Sequence, residues 1–531
     1  MQLTHDELLR SISHLGDLRR LQCFLSRASA GANLSIGVVG GSVSAGSSSW
    51  VRRNQSALFH KRLQRWLEER FPHSHFKHFN GAIPAVPPKY LEHCLPLHVP
   101  PTADLILLES AANLCGKVHA KKKCADGLVS VERILRRLMA YPRQPAVVFV
   151  HVSPFWTMQT ERVWPGTLGS KLSRRWLASE DLNFDFHSQW GHPNHEHMLD
   201  ELSKYYGLPS VSLRDVVYHA AKANSTFHGY TLPQLYYDRI HPSNHGHEVL
   251  SRSLEFLLER VIHLANAGHD HLKASSRACD TQQLLPVNAM LPTSNNPQGA
   301  LQCLDATAIG ESLVDRSDCS WELKVELSSF GVPKPGWVAS QVGQSCRFHY
   351  AARTDWLTHS IGLGYLKSYE GLGSARVECE GSCSCNASMI DAHWTERTSP
   401  NDIHYFDIRL SDERTRARSG ALPERFKSHA VERRCAFRLT IVNESSSGQH
   451  KFKLTALFLN EYGSEQHFGR WILNHALQLH AADVVAQRLD SNTSMDDILS
   501  VRHHASKQPV LPVPAMRRAM VRHRRVMKKH S

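Results

Sequence analysis

A serine followed far downstream by an aspartate and a histidine is the set of side chains that would equip this chain for nucleophilic acyl chemistry. Ser42 lies in Ile36-Gly37-Val38-Val39-Gly40-Gly41-Ser42-Val43-Ser44-Ala45-Gly46, an apolar run that breaks into small residues. The pattern predicts a buried strand ending in a tight turn, with the hydroxyl presented at the strand's carboxyl end. Downstream, Asp238-Arg239-Ile240-His241-Pro242 places a carboxylate three residues before an imidazole. At that spacing the Asp can fix the imidazole's tautomer through one ring nitrogen while the other faces a nucleophile.

Such groups meet only if a scaffold brings them together, and the pattern between them predicts one. Apolar runs read as strands at Leu34–Val39, His75–Phe79, Asp104–Leu108, Ala146–Val152 and Pro209–Ser212. Helical spacing appears at Ser56–Arg70, Ser130–Ala140, His195–Tyr206, Leu213–Ala221 and His245–Leu264. This alternation predicts a three-layer α/β/α domain over residues 31–267, with a parallel, flavodoxin-like sheet between helices. Residues 1–30 carry leucines at helical spacing and are expected to form one amphipathic helix. Residues 268–300, rich in Ser, Gln, Asn and Pro, read as a linker. Short β-like runs broken by Gly, Pro and Ser then predict an all-β sandwich over 301–460. Residues 461–531 read as a helix around Arg470–Ala486 followed by a basic tail.

The ordered blocks of the first domain resemble the SGNH hydrolase superfamily, the GDSL-type esterases. Gly40-Gly41-Ser42-Val43-Ser44-Ala45-Gly46 resembles the nucleophile block, and Asn80-Gly81-Ala82 the second block. Asp104-Leu105-Ile106-Leu107-Leu108-Glu109-Ser110-Ala111-Ala112-Asn113 resembles the third, and the stretch from Asp238 to His247 the last. The resemblance implies Ser42, Asp238 and His241 as catalytic residues. It also implies an oxyanion hole of the Ser42 amide, the Gly81 amide and the Asn113 side chain. Losing one such donor typically costs about 3–4 kcal/mol of barrier. The reaction expected is hydrolysis or transfer of an acyl ester, a carbohydrate ester being the first candidate, through a Ser42 acyl-enzyme, with no metal and no organic cofactor. Two departures stand out: Gly41 replaces the aspartate usual before the nucleophile, and in the third block Ala111 and Leu114 replace a glycine and an aspartate. They favour the rival reading, a non-catalytic glycan-binding or scaffold protein on the same fold. The second half is similar, more loosely, to the C-terminal region of plant and algal SGNH-like proteins.

Composition sets further bounds. At 531 residues the chain exceeds one hydrophobic core, and charged residues at 21% with hydrophobics at 41% describe an ordinary globular protein. No apolar stretch approaches the roughly 18 residues that span a bilayer. Of the net charge of +13, nine Lys/Arg without an acid lie beyond Val501. That tail is read as a solvated end rather than an arm for nucleic acid or anionic lipid. Of twelve cysteines, seven lie between Cys303 and Cys435 without paired C-x2-C units, which favours disulfides over zinc. Sequons at Asn33, Asn54, Asn224, Asn386, Asn443 and Asn492 favour the secretory pathway or the extracellular space, although the first residues lack the basic and apolar regions of a signal peptide. His192, His195 and His197 with Glu196 are read as a solvated loop and helix start rather than a metal site. Trp337, Tyr365, Tyr369 and Trp394 offer either a sugar-stacking face or a sandwich core.

Overall fold

The period-2 alternation of side chains along the central strands decides how the first half of the chain is layered. The structure is a computed structural model, and it describes residues 1–47, 54–114, 121–153, 195–223, 225–236, 240–266, 289–291, 302–327, 333–352, 358–381, 383–395, 399–410 and 433–461. Its first sheet contains β1 (Ile12–His14), β2 (Asn33–Val39), β3 (His75–Asn80), β4 (Leu105–Leu108), β5 (Ala146–His151) and β6 (Ser210–Ser212), in spatial order β1-β6-β5-β4-β2-β3. Neighbours pair in parallel except β1, which runs antiparallel to β6.

Around it lie α1 (His5–Ser11), α2 (Arg19–Ser29), α3 (Ser42–Ala45), α4 (Phe59–Arg70), α5 (Pro88–His98), α6 (Lys121–Met139), α7 (His195–Tyr205), α8 (Leu213–Lys222), α9 (Leu232–Leu235) and α10 (Asn244–Asn266). In β4, Leu105 and Leu107 join a core with Phe24 of α2, Leu63 of α4, Val217 of α8 and Leu254 of α10. Ile106 and Leu108 face the other way, onto Leu95 of α5, Ile134 and Leu138 of α6 and Leu199 of α7. A strand buried on both sides reads as an unbroken apolar run, which is why β2, β4 and β5 were legible. The three-layer expectation holds.

The single helix expected over residues 1–30 is corrected. Thr4 and Glu7 form a capping box that starts α1, and the helix stops at Ser11 because the next residues pair with the sheet edge. Ile12 lies opposite Val211, and His14 opposite Ser210. The edge of β6 is thereby covered, a demand helical periodicity does not reveal.

The second half is built from antiparallel strands: β7 (Gln302–Asp305), β8 (Val314–Cys319), β9 (Glu322–Leu327), β10 (Pro333–Ala339), β11 (Ser345–Ala352), β12 (Thr358–Leu366), β13 (Ser374–Gly381), β14 (Cys383–Ser384), β15 (Ser388–Asp391), β16 (Asn401–Leu410), β17 (Arg433–Val442) and β18 (Phe452–Glu461). One sheet runs β14-β16-β12-β18-β10-β9 with β7 also on β18, and the other runs β15-β13-β17-β11-β8. Ile361, Leu363, Ile408 and Leu457 of the first face Phe348, Val377, Phe437 and Leu439 of the second in one core. Trp337 and Tyr365 belong to that core, and the Trp337 indole N–H donates to the Ala306 carbonyl at 2.8 Å. Tyr369 is exposed and Trp394 half-buried. Disulfides join Cys319 to Cys346, Cys379 to Cys385 and Cys383 to Cys435. Cys23 and Cys124 are disulfide-bonded as well. No helix among the described residues is long and apolar enough to cross a membrane. Of the expected linker, residues 289–291 are described, the Met290 and Leu291 amides donating to the Glu132 carboxylate at 2.6 and 3.1 Å. The expected C-terminal helix and tail fall outside the described residues.

Helix α5 ties the sandwich to the α/β layers, and both belong to one compact unit. Cys94 on α5 is bonded to Cys303 on β7. The fully buried Phe458 of β18 meets the rings of His93 and Tyr90 at centroid distances of 5.1 and 5.9 Å. Tyr405 of β16 hydrogen-bonds His93 from the sandwich side. Phe458→Ala should therefore cost about 3–5 kcal/mol, measured as a lowered denaturant midpoint by circular dichroism. An unchanged midpoint would show that this joint does not support the fold.

Candidate active site

Strand β2 ends at Val39, and the chain turns at Gly40-Gly41 into the single turn of α3, with Ser42 as its first residue. A strand that must stop and reverse into a helix within two residues needs small side chains there, because the neighbouring strands close in. At Gly41 a β-carbon would lie 2.2 Å from Asn113 Oδ1, so the position accepts no side chain while Asn113 keeps its place. Ser42 is half-buried, at the carboxyl end of the sheet, where open α/β folds bind ligands.

His241 is placed by the start of α10. The Ser243 hydroxyl caps that helix, accepting from the His245 and Gly246 amides at 3.2 and 3.4 Å. The Ser243 amide donates to the Leu235 carbonyl at 2.9 Å, which anchors the approach against α9. With α10 buried along Leu250, Leu254 and Leu257, the imidazole is delivered to Ser42: Nε2 lies 2.7 Å from Oγ. That is hydrogen-bond contact between a hydroxyl and a candidate base. Asp238 lies outside the described residues.

The candidate oxyanion donors fare differently. The Ser42 N–H, first in α3, has no acceptor among the described residues. Asn113 lies just past β4, against Gly41, and its Nδ2 donates to the Val86 carbonyl at 3.0 Å, leaving a second amide proton. Gly81 departs from expectation. Its N–H donates to the Val38 carbonyl at 3.0 Å, continuing the ladder between β2 and β3 by one residue. An amide has one proton, so in this structure Gly81 walls the turn rather than donating into it.

Sequence reasoning missed the groups beneath the turn. The Ser44 carbonyl accepts from His60 Nε2 at 2.9 Å and from Asn80 Nδ2 at 3.1 Å. Since a carbonyl can only accept, His60 carries its proton on Nε2, and its Nδ1 then accepts from His78 Nε2 at 2.9 Å. His247, a turn inside α10, packs against Phe59 beside this pair. Burial, the largest cause for each, holds His60 at about 4, His78 at about 3 and His247 at about 3, against an ordinary 6.5. The scattered positions 60, 78 and 247 carry no spacing signal that would have revealed this cluster.

The other histidines of interest are structural. His195 Nδ1 contacts the Ala111 carbonyl at 3.0 Å, and Glu196 accepts from the Ser153 hydroxyl at 2.5 Å and pairs with Arg214 at 3.6 Å. His197 contacts Arg214 at 3.2 Å. The expected solvated helix start is therefore corrected: His195 and Glu196 are buried, engaged by the Ala111 carbonyl, the Ser153 hydroxyl and Arg214. His192 falls outside the described residues.

No protein-family model and no curated protein matches the sequence. The fold does have solved counterparts. A two-domain esterase active on acetylated mannans, crystallised with mannopentaose, superposes with a TM-score of 0.54 at 15% identity, covering 88% of this chain and 100% of that one. A second structure described as the same kind of esterase gives a TM-score of 0.53 at 16% identity, covering 86% and 99%.

The buried imidazoles carry a pH dependence. They are neutral in the fold but titrate near 6.5 when unfolded, so protonation favours the unfolded chain. Their contribution is intact above about pH 6.5 and is lost progressively as pH falls toward about 3. Urea midpoints should decline from pH 7 to pH 4.5, and His78→Gln should make the decline shallower. A slope unaffected by that substitution would show that His78 titrates normally.

Proposed function

We propose that this chain, whose fold is that of the two-domain SGNH-type esterases, hydrolyses an acyl ester on a carbohydrate through a Ser42 acyl-enzyme. The observation that carries the reading is the 2.7 Å contact between Ser42 Oγ and His241 Nε2 at the carboxyl edge of the sheet. In the step proposed, Oγ bonds to the acyl carbon while its proton passes to Nε2. The bond from that carbon to the sugar oxygen then breaks, and the departing oxygen takes the proton from His241. Water repeats the sequence on the acyl-enzyme, releasing the acid and restoring Ser42. Asp238 is assigned to orient the imidazole. The Ser42 amide and the free proton of Asn113 Nδ2 are assigned to the oxyanion, charge development being where preorganised donors act most strongly.

A glycan ester is the substrate class favoured, because the fold counterparts are described as acting on acetylated mannans. The disulfides suit an oxidising compartment, where such polysaccharides are met. A sugar hydroxyl could replace water as the acceptor with the same residues, so acyl transfer is tested alongside hydrolysis. The engaged Gly81 amide favours the rival, a glycan-binding protein that has kept the fold without the chemistry.

Acetyl release from acetylated mannan, with and without a free sugar acceptor, should fall at least about ten-thousandfold in Ser42→Ala and in His241→Ala. A fluorophosphonate probe should label the parent at Ser42. Equal turnover by Ser42→Ala removes the nucleophile assignment, and a folded parent that resists the probe supports the rival.

A further inference from the structure

Glu109 is a fully buried acid that the reaction above leaves unused, and its surroundings assign it a task. It follows directly on β4, in the third sequence block, and its backbone amide donates to the Val39 carbonyl at 2.8 Å, so it is fixed level with the end of β2. Its Oε2 accepts from the Gly41 N–H at 3.2 Å and from the Ser44 hydroxyl at 3.1 Å. These two donors bracket Ser42 in sequence, one just before it and one a half-turn after it. Burial pushes the Glu109 carboxyl up, opposed by those two donors and by the neighbouring His241.

The glycines and the acid are one arrangement. A β-carbon at Gly40 would stand 2.8 Å from Ser44 Oγ and 2.9 Å from Glu109 Oε2, and one at Gly41 would run into Asn113. A carboxylate carried by the turn itself has no room here. The carboxyl arrives instead from the end of the neighbouring strand, four residues before Asn113, and accepts from the Gly41 amide.

We infer that Glu109 is the positioning residue of the nucleophile turn, supplying from β4 the carboxyl that Gly41 cannot, an assignment that rests on Ser42 being the nucleophile. Its side-chain hydrogen bonds go to Gly41 and Ser44 rather than to the Ser42 hydroxyl. It holds Gly41 and Ser44 so that Ser42 Oγ stays in line with His241 Nε2. Displacement of a reacting group by about 1 Å can cost on the order of a hundredfold in rate.

The test compares Glu109→Gln with Glu109→Met on the full-length protein. Gln keeps an acceptor oxygen at the same reach, whereas Met keeps the length and apolar bulk but accepts no comparable hydrogen bond. The expected result is kcat within about fivefold of the parent for Gln and about a hundredfold lower for Met, with KM for the acyl ester little changed in both. Fluorophosphonate labelling of Ser42 should slow in parallel with kcat. A Met variant with parental kcat, at whatever thermal midpoint, overturns the inference, since the side chain would then only fill space. If the Met variant does not fold, Ser44→Ala decides instead. It removes one of the two donors, and kcat should fall about tenfold with KM held, whereas unchanged kcat overturns the inference. Ser42→Ala run beside these separates the two claims. Activity surviving in Ser42→Ala sinks the nucleophile reading, while an inactive Ser42→Ala beside a fully active Glu109→Met sinks the positioning role alone.

Discussion

A hydrogen bond of 2.7 Å joins Ser42 to His241 across 199 residues of sequence, and most of the α/β half can be understood as what holds those two atoms in register. A contact between side chains on separate segments survives only if each segment is independently immobile. Ser42 gains this from a turn gripped on both sides, by Glu109 from β4 and by His60 and Asn80 below. His241 gains it from the capped start of a long helix whose apolar face is buried in the first core. Each grip joins a side chain to a backbone amide or carbonyl of the segment it holds, so it fixes the backbone itself.

The same economy explains the composition of the turn. Gly40 and Gly41 are small because Glu109 and Asn113 approach from the next strand, and those approach because the strands are parallel and end at one level. Each feature would be costly alone. A buried carboxyl without donors is destabilising, and so is a buried turn amide without an acceptor. In the fold the Gly41 amide and the Ser44 hydroxyl both meet Glu109 Oε2, so the buried acid and the turn that leaves no room for a side chain form one unit.

The sandwich is attached by chemistry as well as by surface. A disulfide, a buried Phe458 and the contact between His93 and Tyr405 all converge on helix α5, whose preceding loop borders the nucleophile turn. The Asn401 amide of β16 donates to the Ala85 carbonyl at 3.2 Å, and Val86, the next residue, accepts from Asn113. The second half of the chain therefore reaches to within two hydrogen bonds of Asn113.

What the amino-acid sequence determined by itself was set by local rules. Strands buried on both faces declare themselves as short apolar runs, so the central strands were legible to within a residue or two. Small residues after such a run marked the turn at Ser42, and helical spacing marked the helix that follows His241. Tertiary structure decided what depends on neighbours distant in sequence. The edge pairing that splits the N-terminal helix, the diversion of the Gly81 amide to Val38, the histidines packed under Ser44 and the service of Glu109 to Gly41 all belong here. No local pattern encodes them, because a hydrogen bond has no sequence period: its partner is chosen by which strand the fold lays alongside.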